Sequence, residues 1–225
     1  VRSRLDGVAL DAISGRSARL LDPSAKIDIQ GYESAPLPDN YFDAAVGNVP
    51  FGQFKVADQR YRSQNWLIHD YFFGKTLDKV RPGGVIAFIT SKGTLDKENP
   101  SVRRYIAQRA ELLGAIRLPN STFRAAAGTE VTSDILFLQK RERPVPEEPE
   151  WVHLGMDSNG ITMNAWFVSH PEMILGEMRM ISGPYGPESA CVAREGDDLA
   201  QLLEQAVARI QGSFVQRETE QADIA

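Results

Sequence analysis

The sequence predicts an α/β fold in which a mostly parallel sheet carries helices on both faces. Three observations predict it. Short apolar runs alternate with helical runs between residues 5 and 139. VIAFIT at 85–90 and ILFLQ at 135–139 have almost no polar face, as strands buried on both sides must. The breaks between runs carry Pro, Gly, Asn or Asp, which end elements for definite steric reasons.

The elements follow in order. Residues 5–10 form a short apolar strand, and 12–21 (AISGRSARLL) a helix closed by Asp22-Pro23. Residues 26–31 (KIDIQG) alternate as a second strand, and 42–47 form a third. The spacing over 65–80 is helical, with Trp66, Phe73, Leu77 and Val80 on one face. Arg81-Pro82-Gly83-Gly84 predicts a turn before the strand at 85–90. A helix over 101–112 precedes strands at 113–118 and 135–139, which a polar, glycine-containing loop separates. The domain reading is a core over 1–140, a linker at 141–150 (RERPVPEEPE) and an appendage over 151–225. Prolines and glutamates in the linker cannot pack a core. The appendage carries an amphipathic helix at 198–210.

Composition narrows the class. An apolar fraction of 42% and a charged fraction of 24% belong to an ordinary globular chain. The single cysteine, Cys191, excludes a disulfide framework and a cysteine-based zinc cluster, and suits a reducing cytoplasm. No apolar run approaches the ~20 residues of a membrane span. The net charge of −5 argues against a dedicated nucleic-acid binder, though not against local basic patches.

The third strand ends in Gly47-Asn48-Val49-Pro50-Phe51. An amide, backbone carbonyls and a ring are gathered at the carboxyl end of a strand, where open α/β sheets bind ligands. An exocyclic base amine is a poor nucleophile because its lone pair is delocalised. If the Asn48 side-chain oxygen and the Val49 carbonyl accept both its hydrogens, the nitrogen moves towards a tetrahedral form and its lone pair is freed. Pro50 would fix the two acceptors beforehand, which is electrostatic preorganisation. Phe51 would offer a face to a base taken out of a duplex.

GNVPFG resembles the Asn-Pro-Pro-Tyr/Phe motif of S-adenosylmethionine-dependent N6-adenine DNA methyltransferases. RPGGVIAFITSKGTLD, GAIRLPNSTF and AGTEVTSDILFLQK follow in order and are similar to stretches of type I restriction modification subunits. WFVSHPEMILG at 166–176 resembles the segment after the methylase module of large phage and mobile-element proteins that also carry helicase regions. The resemblance covers residues 5–176 and implies a Rossmann-like class I methyltransferase, S-adenosylmethionine as cofactor and DNA as partner. Helicase regions of the same polypeptide would accompany it. It casts Asn48 and Val49 as the groups that polarise the amine, Pro50 as the brace of the turn, and Phe51 as the stacking ring.

Two departures qualify the likeness. Val49 stands where the family has its first proline. The methyl-donor site is also incomplete, because such folds place a glycine-rich loop after the first strand and a carboxylate on the ribose after the second. Leu10-Asp11-Ala12-Ile13-Ser14-Gly15-Arg16-Ser17 imitates that loop, but too few residues then separate Glu33 from Asn48 for a helix and a strand. With residues 7–11 (GVALD) as the second strand instead, Ala9 occupies the ribose-binding glutamate position. The first strand and glycine loop then lie ahead of residue 1.

Other candidates are weaker. Glu33 follows the strand after which the family places an acidic residue near the donor's adenine; a solvated loop carboxylate is the alternative. Asp11 substitutes for the ribose carboxylate only if the strand has ended before it. Lys92, Lys97, Arg103 and Arg104 flank the loop after VIAFIT and could meet phosphates, or form a solvated charged face. His69 and Asp70 suit structural roles, and the scattered histidines with one cysteine form no metal set. Ala9 and the acidic balance keep open a degenerate module that binds DNA or a partner without catalysis. The motif chemistry also admits a glutamine side chain or an RNA base amine as acceptor.

Overall fold

A computed structural model of the protein describes residues 4–128, 130–183 and 186–213. The first unit is β1 (Asp6–Ala9), α1 (Ala12–Leu21) and β2 (Lys26–Ile29), with β1 and β2 parallel from Asp6↔Lys26 to Ala9↔Ile29. The Asp11 carboxylate starts α1 by accepting the Ser14 amide at 2.6 Å, which satisfies one orphan donor of the first turn. Gly15 lies buried within α1, so residues 10–17 are a helix start and not a phosphate-type loop. A Cβ at Gly15 would come within 2.6 Å of Ile29, which is how close the helix lies to its strands.

The main sheet has the order β3-β4-β6-β5, from β3 (Phe42–Asn48), β4 (Val80–Ser91), β5 (Ala110–Leu118) and β6 (Ser133–Lys140). β3 and β4 are parallel, whereas β6 runs antiparallel to both β4 and β5. The mostly parallel sheet read from the sequence is therefore a mixed one. A parallel return needs a crossover, usually a helix, and the segment from β5 to β6 holds only the single turn α5 (Arg124–Ala127). Crossovers do carry β3 to β4, through α2 (Ile68–Lys79), and β4 to β5, through α3 (Gly93–Asp96) and α4 (Ser101–Arg109).

The sequence also put a turn at 81–84, but β4 begins at Val80, directly after α2. The ladder starts with Phe42↔Val80 and shifts register before Ala44↔Val85, as at a bulge. The glycines make that possible. Gly83 has φ +73°, and a Cβ on Gly84 would meet the Asp43 carbonyl at 2.8 Å.

Among the described residues β1 pairs only with β2, and β3 only with β4. The second edge of each carries no partner strand, and Val46 in β3 is 81% exposed. Leu10 and Ile13 beside α1 are exposed as well.

Beyond residue 140 the chain packs on the sheet. The Arg141 and Val145 amides donate to the Arg109 and Gln108 carbonyls at 2.8 and 2.9 Å, so the proline-rich stretch lies along the end of α4. There follow β7 (Leu154–Met156) and β8 (Thr162–Asn164), α6 (Ala165–Ser169), the hairpin β9 (Glu177–Gly183) and β10 (Gly186–Val192), and α7 (Leu199–Val207). Trp151, Met163, Phe167, Met173, Cys191 and Ala206 share one hydrophobic cluster with Phe73, Ile86 and Leu136. Ile174 bridges Arg117 at the outer edge of β5.

A buried charge cluster joins these parts. Arg117 and Asp134, opposite each other on β5 and β6, are fully buried and make a bidentate pair, Nε–Oδ1 2.8 Å and Nη2–Oδ2 2.9 Å. Arg117 Nη1 also lies 2.9 Å from Asp96 of α3, and its guanidinium sits 4.2 Å from the Phe167 ring centre. Burial opposes the Arg117 charge, but Asp134 and Asp96 outweigh it and hold its pKa above the usual range. Removing one partner strands a buried charge, which costs about 3–5 kcal/mol. Asp134→Asn should lower unfolding free energy by that amount in urea titration, and Arg117→Met with Asp134→Leu by less. A single variant as stable as the parent would refute the role given to the pair.

Candidate active site

Asn48 is the last residue of β3, opposite Ile89 of β4. The Val49 amide then donates to the Ile89 carbonyl at 3.0 Å, and its side chain is 3% exposed within the core cluster. A proline at 49 has no N–H to give. Valine thus keeps one more ladder bond and anchors the turn by its buried side chain. The Asn48 side chain is exposed and has no hydrogen-bond partner among the described residues. Phe51 is 38% exposed and is not part of the core cluster. Phe54 is more exposed still, its ring so close to Gly52 that a Cβ there would meet Cε1 at 2.5 Å.

The loop after the motif is strapped along α2. The Ile68 amide donates to the Phe54 carbonyl at 2.9 Å where α2 begins. Asp58 Oδ2 then accepts from Tyr71 Oη at 2.7 Å and from Lys75 Nζ at 3.0 Å. Burial pushes the Asp58 carboxyl up, but these donors outweigh it and hold the pKa below the usual range. Further along, Tyr61 Oη donates to Asp78 at 2.6 Å, and Arg60 reaches Asp39 at 2.6 Å.

A second strap, residues 32–41, lies on the same helix. Glu33 sits in a 3₁₀ turn (Tyr32–Ser34) after β2, with its side chain exposed. Lys75 Nζ donates to the Glu33 carbonyl at 3.1 Å, and Lys79 Nζ to the Leu37 carbonyl at 2.7 Å and to Asp39 at 2.6 Å. Glu33 and Asn48 both follow carboxyl ends of strands and are linked through α2. Ala9 is the last residue of β1. Asp11 lies beyond the end of that strand, exposed and capping α1. Hydrogen bonds from the Ser14 backbone and hydroxyl lower its pKa.

Of the basic residues after β4, Arg103 is corrected by the structure. Arg103 is 1% exposed and donates to the Val152 and Lys97 carbonyls, each at 2.7 Å, so it cannot reach a phosphate. Arg104 is held by Glu148 at 3.1 and 2.7 Å. Lys92 is half-buried under the β9–β10 hairpin, donating to the Ser189 carbonyl and hydroxyl, and burial lowers its pKa. Lys97 is paired with Asp70, both contacts 2.6 Å. No metal-binding group of His, Cys, Asp and Glu occurs among the described residues. The sequence reading missed Phe54, Asp58 and Lys75. An exposed aromatic three positions after Phe51, and the i, i+4 series Tyr71, Lys75, Lys79, were signals available for them.

An open α/β sheet with its motif at a strand's carboxyl end, and an antiparallel strand set inside it, is the class I methyltransferase fold. A Listeria monocytogenes protein described as a class I S-adenosylmethionine-dependent methyltransferase superposes with TM-score 0.52 at 20% identity, over 66% of this chain and 47% of its own. A Vibrio vulnificus protein assigned as a type I restriction modification subunit gives TM-score 0.52 at 17% identity, over 90% of this chain and 50% of its own. The model of the N-6 DNA Methylase family matches residues 20–156, and the chain belongs to that family. Defense against restriction protein B of Escherichia phage P1 is 33% identical over 150 residues, 64% of this chain and 7% of that protein. The chain therefore spans a small fraction of that relative and about half of each solved structure.

His69, next to the Asp70–Lys97 pair, gives a pH prediction. Burial lowers its pKa, the Asp70 charge opposes the shift and Lys97 adds to it. A depressed folded pKa means stability is full above the unfolded value of about 6.5 and is lost as pH falls towards the folded value. The slope is at most about 1.4 kcal/mol per pH unit for one proton. Unfolding free energy measured from pH 7 to pH 5 should fall less steeply in His69→Asn than in the parent; equal slopes would exclude His69 as the source.

Proposed function

We propose that this chain is the catalytic module of an enzyme that transfers a methyl group to the N6 amine of adenine in DNA. The reading rests on the exposed Asn48 amide at the end of β3, without a hydrogen-bond partner among the described residues, beside the anchored Val49 and the half-open Phe51 ring. Asn48 Oδ1 and the Val49 carbonyl accept the two amine hydrogens, and Pro50 keeps both acceptors in place. Phe51 stacks on the extruded base. The freed lone pair forms the new N–C bond, and the nitrogen then releases a proton to water.

S-adenosylmethionine, when bound, supplies an electrophilic methyl group with a thioether as leaving group. The residues present fit its adenine end: Glu33 stands exposed in the turn after β2, tied through Lys75 to the loop that follows Asn48. Asp11 is the carboxylate nearest in sequence to the position where ribose would lie. In the natural polypeptide, helicase regions would bring the duplex to this module.

A second reading is favoured by Ala9 and by the bare edge of β3. On it the module binds DNA or a partner without transferring a methyl group.

Two variants test the first reading in the natural polypeptide that carries this chain. Asn48→Ala removes one of two preorganised acceptors, and such losses cost roughly 10²–10³ in rate. Tritium incorporation into an adenine-containing duplex should fall by that factor with the circular dichroism spectrum unchanged; a few-fold loss would sink the assignment. Phe51→Ala should weaken binding to duplexes with a mismatched target by ~1–3 kcal/mol, the worth of base–aromatic stacking. Phe51→Trp should preserve it. Equal affinity for all three proteins would remove Phe51 from the site.

A further inference from the structure

The two straps on α2 meet at one ammonium group. Lys75 is 4% exposed, in the middle of α2, and its Nζ lies 3.1 Å from the Glu33 carbonyl and 3.0 Å from Asp58 Oδ2. The Glu33 turn follows β2, and Asp58 lies in the loop that leaves Asn48 and Phe51. The Tyr32 and Tyr71 rings flank the ammonium, their centres 5.1 and 5.6 Å away. A buried lysine holds so few partners in fixed places that moving one strap moves the other. Lys79, one turn further on, supplies a built-in comparison. It too binds one strap carbonyl and one aspartate, but it ties Leu37 and Asp39, and meets the motif loop only through the Asp39–Arg60 pair, further from Asn48 in sequence than Asp58.

We infer that Lys75 is a positioning residue: its ammonium sets the Glu33 turn against the motif loop, and so aligns the methyl donor with the target amine. This rests on the proposed methyl transfer. Lys75 touches neither donor nor DNA; it acts through Glu33 and Asp58. Without its charge, the Glu33 turn is left with the Tyr32–Thr76 hydroxyl contact at 3.0 Å and the Tyr32 ring contacts with Tyr71 and Phe72 to hold it on α2.

The test compares Lys75→Met, Lys75→Arg and Lys79→Met in the natural polypeptide. Three measurements are made on each: melting temperature, donor dissociation constant by calorimetry, and donor and DNA KM in tritium transfer. Lys75→Met should raise the donor Kd and KM by about tenfold, the effect of one lost charged hydrogen bond, with DNA KM within about twofold of the parent. Lys75→Arg keeps a cation in reach of both oxygens and should recover part of the loss. Lys79→Met should lower the melting temperature comparably while leaving the donor Kd within about twofold. Hydrogen exchange should quicken at residues 31–36 and 54–58 together in Lys75→Met, and at 37–41 but not at 31–36 in Lys79→Met. Equal donor constants in the two methionine variants, or a donor constant unmoved by Lys75→Met, would overturn the inference with methyl transfer still standing. A parent that binds the donor but transfers no methyl group would instead overturn the DNA reading, and the Kd comparison would still decide the role of Lys75.

Discussion

The contact between Arg117 and two aspartates is the constraint on which the carboxyl end of the sheet depends. It joins β5 to β6 through Asp134 and both to the loop after β4 through Asp96. Asp96 in turn accepts the Asn164 amide at 2.9 Å, while the Asn164 side chain donates to the Leu95 and Trp151 carbonyls. The polypeptide after residue 150 is thereby locked to the strand ends beside Asn48. Replacing such a cluster with apolar residues is often neutral or stabilising. Its value here is geometric: apolar packing tolerates small slips, whereas a bidentate guanidinium–carboxylate pair fixes distance and direction at once.

Much of the cationic inventory of this acidic chain is used internally. Lys75, Lys79, Arg81, Arg103 and Arg117 are all buried and bound to carboxylates or carbonyls of the same chain. Lys75, Lys79 and Arg103 hold backbone carbonyls of the segments packed on α2 and α4, while Arg81 and Arg117 pair with carboxylates of β3 and β6. A net charge of −5 is then no measure of the field at the site, because the paired groups cancel locally.

Strand β3 and the turn after it were legible because the needed signals are contiguous: an apolar run, an asparagine and a proline. Helix α1 was legible to the residue because Asp11 caps one end and Asp22-Pro23 closes the other. The antiparallel insertion of β6 was not, since strand order is decided by tertiary pairing and not by local pattern. Nor was the Lys75 junction, whose partners lie 42 and 17 positions away in sequence. Arg103 was grouped with Arg104 as a residue that could meet phosphates, yet adjacent helical residues point about 100° apart. Arg103 shares its face with Ile106 and Ala107, both buried, and that spacing was readable. The proline-rich stretch looked like free linker because composition reports what cannot form a core. It does not report what can lie along one.

The bare second edges of β1 and β3 bear on how the protein behaves in solution. Unpaired N–H and C=O groups on a strand, with Val46 standing out beside them, form a template for any extended peptide that reaches them. A strand seated on either edge would lengthen that sheet by one member. Colloidal stability, protease resistance and apparent mass would then all report on whether those edges are filled, before any chemistry is assayed.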